Sequence, residues 1–584
     1  MHCVAGGMAP LLRLLSAFLV AVVLLAPARA GDAEQPAANP RLKVAVVQMA
    51  FAPTLAGNRD RIISGVEDAA TRGARVAVFP EGALNARAGD AQADVQDAIT
   101  SIGRAAAKHG IYVIFGGVSD SAALKKMVNW MRVFGPDGRQ IFHYDKLYNH
   151  PRAAMPGVFS IDGIPCSGMI CADRWLRGVE EIPIQQGAKI SFELSNNFDC
   201  EWVGPFGWYW NIPRALRNNV WVVVANTGNT VAGVPDDSPE GPLLRHGHSA
   251  IVAPDGKIVA AANETATIIV AEIDASRATR EEALARASHP ALREFWEAGV
   301  KIQRGEQVPA PPLPSVQSPE TEITLAVGQA KGAVSEITKL IREARGRKAD
   351  LVAFPARAVS EDLIPTVQAA AREHGITVVI GAEHRGSDGP RNSAFVIGSD
   401  GALLTRYDQV SASAPYQAGT NPPAMWFRVK GVPAFVTIGR DALWSELTEL
   451  AVVAGAQVHV HIDDDPDASP EATLRRKQVW SNIASYLTFT ATANTAGSAI
   501  WDDLSGMAES RHIVKKTPKP DNGPVEVDSP FSANLVISAT PDKPLIVATR
   551  KVAPTNPHFK RRTLGFNPQM EPWYRIGAGI VHGK

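Results

Sequence analysis

The sequence predicts a layered α/β protein that contains two copies of one fold. Three observations predict it. Short β-type runs alternate with amphipathic helical segments, a proline-rich stretch divides the chain near its middle, and the order of motifs in the first half returns in the second. With 584 residues, 45% hydrophobic and 20% charged, the chain has the length of several folding units and the composition of a folded protein. A largely disordered chain is therefore excluded.

The first half begins with alternating predicted strands and helices. Its β-type runs are Val44–Val47, Val76–Phe79 and Ile111–Phe115. Apolar residues at a helical spacing between these runs predict two helices. The residues that carry this spacing are Ile62, Val66 and Ala70, and then Val95, Ile99, Ile102 and Ala106. A turn signal, Pro136-Asp137-Gly138, predicts a hairpin between the next two strands.

Further short strands complete this half, and a linker follows them. The strands are Met169–Cys171, Ile190–Leu194, Val220–Val224, Ile251–Val252 and Lys257–Val259. Residues 280–304 have a helical pattern, and the proline-rich stretch Val308–Pro314 is expected to be stiff and extended. We therefore expect a first domain over residues 31–305, a linker over 306–320, a second domain over 321–550 and a C-terminal tail over 551–584.

The N-terminus has the pattern of a secretory signal peptide. Arg13 precedes a largely apolar run, Leu14–Ala26, and Ala28-Arg29-Ala30 offers small residues at a cleavage point. The run is shorter than the ~20 apolar residues that a membrane anchor needs. Residues 1–30 are therefore predicted to be removed near Ala30, which leaves a secreted or periplasmic chain without a membrane span.

Charge and cysteine content limit the partners. Basic and acidic residues both number 59, so the formal net charge is +0, and the chain lacks the basic character of a nucleic-acid-binding protein. Beyond the leader, Cys166, Cys171 and Cys200 are an odd number of thiols for an oxidising compartment, which indicates a free reactive thiol or an intermolecular bridge. A disulfide between Cys166 and Cys200 would leave Cys171 free. The sequence has no C-x-x-C pair, and no metal is expected.

Motifs of the first half have counterparts in the second half, in the same order. The pairs are Phe79-Pro80-Glu81 with Phe354-Pro355-Ala356, Tyr144-Asp145-Lys146 with Tyr407-Asp408-Gln409, Ile170-Cys171-Ala172-Asp173 with Ile438-Gly439-Arg440-Asp441, and Ala225-Asn226-Thr227 with Ala493-Asn494-Thr495. A single match of this length arises by chance. An ordered series with similar separations indicates an internal duplication.

Glu81, Lys146 and Cys171 are the candidate catalytic residues. Each follows or ends a β-type run, and ligand crevices of α/β sheets lie beyond the carboxyl ends of the strands, so the three side chains are expected to converge. A carboxylate can deprotonate a thiol, and an ammonium can stabilise the oxyanion that forms when a thiolate attacks. Taken singly, they are better explained as a helix cap, a surface charge and a core residue. The second half lacks all three reactive groups within a retained frame, which favours the chemical interpretation.

The motifs that contain these three residues make the first half similar to the nitrilase, or carbon–nitrogen hydrolase, superfamily. The likeness covers about residues 42–304 well and about 322–550 in a degenerate form. It implies two α-β-β-α four-layer sandwich domains, without a metal or organic cofactor. It also implies cleavage of a non-peptide C–N bond in a small amide, nitrile or N-carbamoyl substrate through a cysteine acyl-enzyme.

The resemblance assigns roles residue by residue. Glu81 would be the general base and Cys171 the nucleophile. Lys146 would stabilise the tetrahedral intermediate together with the backbone N–H of Ala172. Asn196 and Asn197 lie where the family often has substrate-loop residues, although a turn after a strand explains them as well.

Two departures from the family pattern concern the substrate pocket. Residues 147–157 lack the second glutamate that many members carry, and His150 or Arg152 lies nearest to its place. Arg174 and Arg177 follow the cysteine motif in place of the usual Pro-Glu pair, where they suit either an acidic substrate or, more simply, the surface. We therefore expect a pocket that differs from those of most family members.

Family members pair as dimers, and a tandem chain would supply that pairing internally. We expect the second half to be a fixed, inactive partner stacked on the first as an intramolecular pseudo-dimer, with further homo-oligomers possible. An acyltransferase with the same three residues is one alternative function. A non-catalytic envelope binding protein is another, favoured by the absent second glutamate and the degenerate second half.

Overall fold

The computed structural model describes residues 40–86, 90–121, 126–148, 154–196, 208, 210–234, 244–314, 316–486, 488–501, 536–539, 543–552 and 568–583. The predicted leader, residues 1–30, lies outside these described residues. So do His150, Arg152, Asn197 and Cys200.

The first half contains two sheets. Its strands are β1 (Arg41–Gln48), β2 (Val76–Val78), β3 (Leu84–Asn85), β4 (Tyr112–Ser121), β5 (Lys126–Phe134), β6 (Gln140–Asp145), β7 (Phe159–Ile161), β8 (Ile164–Ile170), β9 (Ile190–Leu194), β10 (Trp221–Ala225), β11 (Ala250–Val252), β12 (Ile258–Ala261) and β13 (Thr267–Asp274). One sheet has the order β13-β1-β2-β4-β5-β6, with β3 paired to β4, and the other has the order β12-β11-β10-β9-β8-β7.

Helices cover the outer faces of both sheets. They are α1 (Leu55–Thr71), α2 (Gln92–His109), α3 (Arg177–Gln185), α4 (Asn211–Asn218), α5 (Glu281–Ser288) and α6 (Arg293–Gln303). Along β1, Val44 and Val46 belong to the core between the sheets, whereas Ala45 and Val47 pack with α1 and α2. On the second sheet, Val222 packs outward with α4. The half is therefore an α-β-β-α sandwich, as predicted.

The second half has the same sheet topology. Its strands are β14 (Thr321–Gly328), β15 (Leu351–Ala353), β16 (Val359–Ser360), β17 (Thr377–Gly386), β18 (Gly389–Ile397), β19 (Leu403–Asp408), β20 (Trp426–Val429), β21 (Val432–Ile438), β22 (Val458–Ile462), β23 (Phe489–Ala493), β24 (Ala499–Trp501), β25 (Val536–Ser538) and β26 (Leu545–Val552). The sheet orders, β26-β14-β15-β17-β18-β19 and β25-β24-β23-β22-β21-β20, repeat those of the first half strand for strand. The described residues between α6 and β14 contain neither helix nor strand.

A C-terminal helix packs where the sequence predicted only a tail. The helices of the second half are α7 (Val334–Gly346), α8 (Ile364–His374), α9 (Glu446–Val453), α10 (Pro470–Ala484) and α11 (Glu571–His582). The rings of Trp573 and Phe295 stack at 4.7 Å, and Trp573 Nε1 donates to the Phe295 carbonyl at 2.5 Å. A Cβ added at Gly577 would lie 2.4 Å from Leu450 and 2.7 Å from Phe295, so α11 also lies tightly against α9. The helix therefore joins the two halves.

The two halves also contact each other directly. Trp210 of the first half shares an apolar cluster with Trp480 and Trp501 of the second. Arg475 on α10 donates to the carbonyl of Asp255 at 2.9 Å. The contact is thus both apolar and hydrogen-bonded, and it lies on the side of the second sheet that carries α3 and α4. Within the described part of the chain, no helix is long and apolar enough to cross a membrane.

Candidate active site

Three strand ends bring the candidate catalytic residues together. Glu81 lies in the turn after β2, Lys146 directly follows β6, and Cys171 directly follows β8 and opens a 3-10 helix, Cys171–Trp175. The first two belong to one sheet and the third to the other, so the site lies where the two sheets of the first half meet. This placement agrees with the expectation that the three side chains converge at the carboxyl ends of strands.

Glu81 and Lys146 form a buried ion pair. Lys146 Nζ lies 2.6 Å from Glu81 Oε1, and the same oxygen accepts a 2.6 Å hydrogen bond from Asn129 Nδ2. Burial lowers the pKa of Lys146, but the charges of Glu81, Cys171 and Asp173 outweigh it, and the net shift is upward. Lys146 is therefore a firmly held cation at neutral pH.

The Cys171 thiol is held in its neutral form. Burial and the nearby Glu81 carboxylate raise its pKa, while Lys146 and Arg174 oppose that rise. A thiol with a raised pKa carries little thiolate at neutral pH and needs a base to become a nucleophile. The carboxylate that raises the pKa is itself a base close enough to interact with the sulfur.

The backbone of Cys171 is strained in a way that the second half avoids. Its φ angle is +46°, a left-handed conformation that is uncommon for a residue with a Cβ. The equivalent position of the second half is Gly439, whose φ is +50°. Glycine adopts this conformation at no steric cost. The turn geometry is thus common to both halves, and only the first half places a side chain on it.

A tyrosine–aspartate frame holds the turn in both halves. Tyr144 donates to Asp173 at 2.8 Å, and Tyr407 donates to Asp441 at the same distance. Each aspartate also accepts from a backbone N–H two residues beyond the lysine or glutamine position, at 2.7 Å from Tyr148 and at 2.9 Å from Ser411. Burial raises the pKa of Asp173 to about 7 and also raises that of Asp441. The frame is therefore structural and is present in both halves, with or without the three reactive groups.

The equivalent place in the second half holds neutral and paired side chains. Gln409 stands in place of the lysine and bonds Asn392 at 2.9 Å and Ser411 at 3.1 Å. Arg357, which follows the position equivalent to Glu81, forms an ion pair with Asp464 and donates to Tyr416 at 2.6 Å. None of these groups supplies a thiol or a thiol–base pair.

Arg174 is a site residue whose place the sequence did not predict. Its Nε donates to the Cys171 carbonyl at 2.9 Å, and its Nη2 lies 3.8 Å from the sulfur. Nη2 also donates to Ser195 at 2.8 Å, and the guanidinium forms an ion pair with the fully buried Glu193. The suggested surface role of Arg174 and Arg177 is wrong, because both side chains lie in buried ion pairs. The three-residue spacing to Cys171 was the available signal, since it fits one turn of helix.

The residues expected to bind substrate are placed as follows. Ala172 is the second residue of the 3-10 helix and is half-buried. The amide oxygen of Asn196 accepts from Thr227 at 2.8 Å and from Arg245 at 2.9 Å, so it is used within the protein. Asn197 lies outside the described residues.

Among the described residues, the other titratable groups of the first half do not form a metal site. His246 and His248 lie in a loop, and burial lowers the pKa of each to about 4. Within the described ranges, no group of three or more His, Cys, Asp or Glu side chains is arranged to hold a metal ion. Cys166 is a free thiol deep in the core. Its suggested disulfide partner, Cys200, is not among the described residues.

The chain resembles known proteins over its first half. The carbon-nitrogen hydrolase family model matches residues 43–281. Omega-amidase NIT2-A of Xenopus laevis is 26% identical over 262 residues, 40% of this chain and 89% of that protein. The human omega-amidase NIT2 is 25% identical over 260 residues, 40% of this chain and 88% of that protein. The 2-oxoglutaramate amidase of Bacillus subtilis (strain 168) is 29% identical over 204 residues, 32% of this chain and 70% of that protein.

Solved structures also match this chain. An amidase from Nesterenkonia sp. AN1, solved as a double mutant with acrylamide, matches with a TM-score of 0.38 and 16% identity, covering 44% of this chain and 98% of that one. Another amidase structure from Nesterenkonia sp. matches with a TM-score of 0.37 and 17% identity, over 44% of this chain and 96% of that one. The family model and the relatives above make the first half of this chain similar to the carbon–nitrogen hydrolases and support the nitrilase superfamily for it.

Proposed function

We propose that the first half is an amidase that hydrolyses a small amide through a thioester on Cys171. One observation carries the proposal. The Glu81–Lys146 ion pair and the Cys171 thiol are present in the half that matches the family, and all three reactive groups are absent from the other half, although its tyrosine–aspartate frame is the same. Structural residues would not be lost together while the surrounding frame stays intact.

Acylation begins with transfer of the Cys171 proton to Glu81. Lys146 and Asn129 both bond Oε1 of Glu81, which leaves Oε2 as the proposed proton acceptor. The thiolate attacks the carbonyl carbon of the amide, and the carbonyl oxygen becomes an oxyanion. Lys146 and the backbone N–H of Ala172 stabilise this charge as it develops.

Collapse of the tetrahedral intermediate breaks the C–N bond. Glu81 returns the proton to the nitrogen, so that ammonia leaves and a thioester remains on Cys171. Water then gives a proton to Glu81 and attacks the thioester carbon, with the same oxyanion stabilisation. The second intermediate expels the thiolate, which takes the proton back from Glu81, and the carboxylic acid is released.

The proposed substrate class follows from the relatives. Three of them are named omega-amidases or a 2-oxoglutaramate amidase, and each matches over most of its own length. We therefore propose a terminal carboxamide as the group that is cleaved, ahead of a nitrile or an N-carbamoyl group. The same residues serve acyl transfer when an amine replaces water, and the product of a turnover assay separates these reactions.

The second half is proposed to be a non-catalytic partner in an intramolecular pseudo-dimer. Its support is the repeated sheet topology together with the contact through Trp210, Trp480 and α11. The leader pattern over residues 1–30 supports export of the mature chain to the periplasm or medium.

Ammonia release tests the proposed function. The full mature chain is incubated, reduced, with small carboxamides, nitriles and N-carbamoyl amino acids, beside Cys171→Ala as the control. We expect ammonia from carboxamides and none from the variant. If wild-type protein releases no ammonia and no acyl product with any compound, or if Cys171→Ala retains activity, the proposal is wrong.

A further inference from the structure

A large buried ionic cluster lies where the two halves meet. It contains five arginines and five glutamates, all buried or nearly so. The arginines are Arg174, Arg177, Arg214, Arg217 and Arg286, and the glutamates are Glu180, Glu181, Glu193, Glu446 and Glu449. Each buried ion costs several kcal/mol of desolvation, so such a cluster is stable only when its charges are paired.

The cluster is balanced only when both halves contribute. The first half supplies all five guanidinium groups but only three carboxylates. Helix α9 of the second half supplies the other two, Glu446 and Glu449. Arg177 Nε donates to Glu449 Oε2 at 2.5 Å, and Arg286 Nη1 donates to Glu446 Oε2 at 3.1 Å. Without these carboxylates, two buried positive charges would be uncompensated within the cluster.

A continuous path of ion pairs leads from the interface towards Cys171. Glu449 pairs with Arg177, which lies 2.7 Å from Glu181. Glu181 lies 3.2 Å from Arg217, and Arg217 lies 3.5 Å from Glu180. Glu180 accepts from Arg214 at 2.6 Å, and Arg214 in turn pairs with Glu193.

The last step of the path reaches the cysteine itself. Glu193 pairs with Arg174, whose Nε donates to the Cys171 carbonyl at 2.9 Å. Glu193 is thus shared between Arg214, which faces the interface, and Arg174, which contacts the cysteine. Because Arg214 and Arg174 share Glu193, a change in the ion pairing of Arg214 alters the ion pair between Glu193 and Arg174.

We propose that Glu446 and Glu449 of the second half are positioning residues for Cys171, acting through this ionic cluster on Arg174. The catalytic consequence rests on the proposed function, whereas the effect on the thiol does not. The degenerate half has no reactive triad of its own, but it completes the charge balance that holds the guanidinium beside the sulfur of the other half.

Loss of the two carboxylates has a defined direction. Three glutamates must then pair with five guanidinium groups. We expect the Glu193 ion pair with Arg214 to strengthen and its ion pair with Arg174 to weaken. The Arg174 guanidinium is then less neutralised near the sulfur, and the cluster has excess positive charge. Both changes favour the thiolate of Cys171. The groups that act directly on this thiol are Glu81, Lys146, Arg174 and Glu193.

The test uses the full chain with Glu446→Gln and Glu449→Gln combined, and with Glu449→Gln alone in case the double variant fails to fold. Iodoacetamide alkylation of Cys171 is followed by peptide mass spectrometry across a pH series. We expect the midpoint of alkylation to move to lower pH by about half a unit or more. We also expect kcat for amide hydrolysis to fall about tenfold with little change in KM, the pattern of a positioning defect.

Controls separate the effect from unfolding and from the proposed function. Cys166 is buried, so its alkylation reports unfolding. Glu373→Gln, an exposed change on α8, is expected to leave the midpoint and kcat unaltered. The charge-balanced pair Arg177→Gln with Glu449→Gln is expected to keep a midpoint close to wild type.

Two outcomes would overturn the inference. One is an unchanged Cys171 midpoint in folded protein that carries the changes at Glu446 and Glu449. The other is a shift in the charge-balanced pair as large as that of the unbalanced variants. If the wild-type chain cleaves no amide, the proposed function fails, but the alkylation comparison still decides the positioning role.

Discussion

Cys171 and Gly439 occupy the same point of the same turn, and both have a left-handed backbone. Their φ angles are +46° and +50°. The turn follows β8 in one half and β21 in the other, and the same tyrosine–aspartate hydrogen bond holds it in each. The first half therefore carries backbone strain at the position of its thiol, whereas the second half has lost both the thiol and the strain. Strain retained at one of two otherwise equal turns is typical of a functional position.

Removing the Cβ at this turn is expected to stabilise the protein and abolish activity. A left-handed residue other than glycine costs about 1–2 kcal/mol. Cys171→Gly is therefore expected to have a free energy of unfolding about 1 kcal/mol above that of Cys171→Ala, with no ammonia release from either variant. Urea denaturation of the two variants makes the comparison. Equal stability of the two would contradict the strain argument.

The reverse change in the second half is the matched control. Gly439→Ala places a Cβ in the left-handed region and 3.2 Å from Gln409. We expect it to destabilise the chain by about 1 kcal/mol or more and to leave the chemistry at Cys171 unaltered. A neutral effect on unfolding would mean that the turn adapts to a side chain at little cost.

Because Glu81 and Lys146 form a buried ion pair, neutralising both residues is expected to restore the stability lost on neutralising Lys146 alone, but not the activity. Lys146→Gln leaves a buried carboxylate without its cation, and we expect a loss of about 3–5 kcal/mol in the free energy of unfolding. Adding Glu81→Gln removes the second charge and leaves a neutral site, as the Gln409–Asn392 hydrogen bond does in the other half. The double variant is expected to regain most of the lost stability and to remain inactive.

Thermal unfolding and ammonia release, measured on the same preparations, check this prediction. Glu81→Gln alone is the third member of the cycle and is expected to lower kcat by about 10²–10⁴. A double variant as unstable as the sum of its parts would show that the two side chains are not coupled.

Residues that carry a local pattern made much of the fold predictable. Three features depend only on residues that are close in the sequence. They are the alternation of strand and helix patterns that begins at Val44–Val47, the turn at Pro136-Asp137-Gly138 and the repeated motifs. The structure confirms the α/β class and the four-layer sandwich, and it places Glu81, Lys146 and Cys171 together.

Contacts between distant parts of the chain could not be predicted in the same way. Arg177 pairs with Glu449, which lies 272 residues later, and nothing local to either residue indicates the other. From the sequence alone, an arginine in a short helix is expected to face solvent. Arg177 is a buried ion because the second half covers it and supplies Glu449 as its partner. The helix Glu571–His582 was missed for the same reason, because its apolar face is filled by residues of both halves.

The pH dependence of alkylation is expected to follow the charges around Cys171. Burial and Glu81 raise the pKa of this thiol, so its alkylation midpoint should lie above the ordinary thiol value of about 8.5. Glu81→Gln removes a negative charge and is expected to lower the midpoint. Arg174→Gln removes a positive charge and is expected to raise it.

Iodoacetamide labelling of Cys171 at a series of pH values measures all three midpoints. Arg139→Gln, a change at an exposed position after β5, is the control and is expected to leave the midpoint where it is in wild type. Shifts of the same sign in Glu81→Gln and Arg174→Gln would mean that the direct charges of these groups do not govern the thiol.

Asp173 predicts a pH-dependent contribution to stability. Burial raises its pKa to about 7 in the folded chain, against about 3.9 for an unfolded aspartate. The folded state thus holds the proton more tightly, so the contribution of this group is fully present below about pH 4 and is lost as the pH rises towards 7. Asp173→Asn removes the titration, and its free energy of unfolding is expected to fall less steeply than that of wild type between these limits.

Urea denaturation of both proteins at several pH values between about 4 and 8 measures the two slopes. The comparison depends on the slope alone, because the amide also perturbs the hydrogen bonds from Tyr144 and Tyr148 and lowers stability at every pH. Asp441→Asn in the second half is the matched variant, since burial raises the pKa of that carboxyl as well, and it is expected to flatten the profile in the same direction. A slope identical to wild type in Asp173→Asn would show that Asp173 keeps an ordinary pKa and that Lys146 compensates its burial fully.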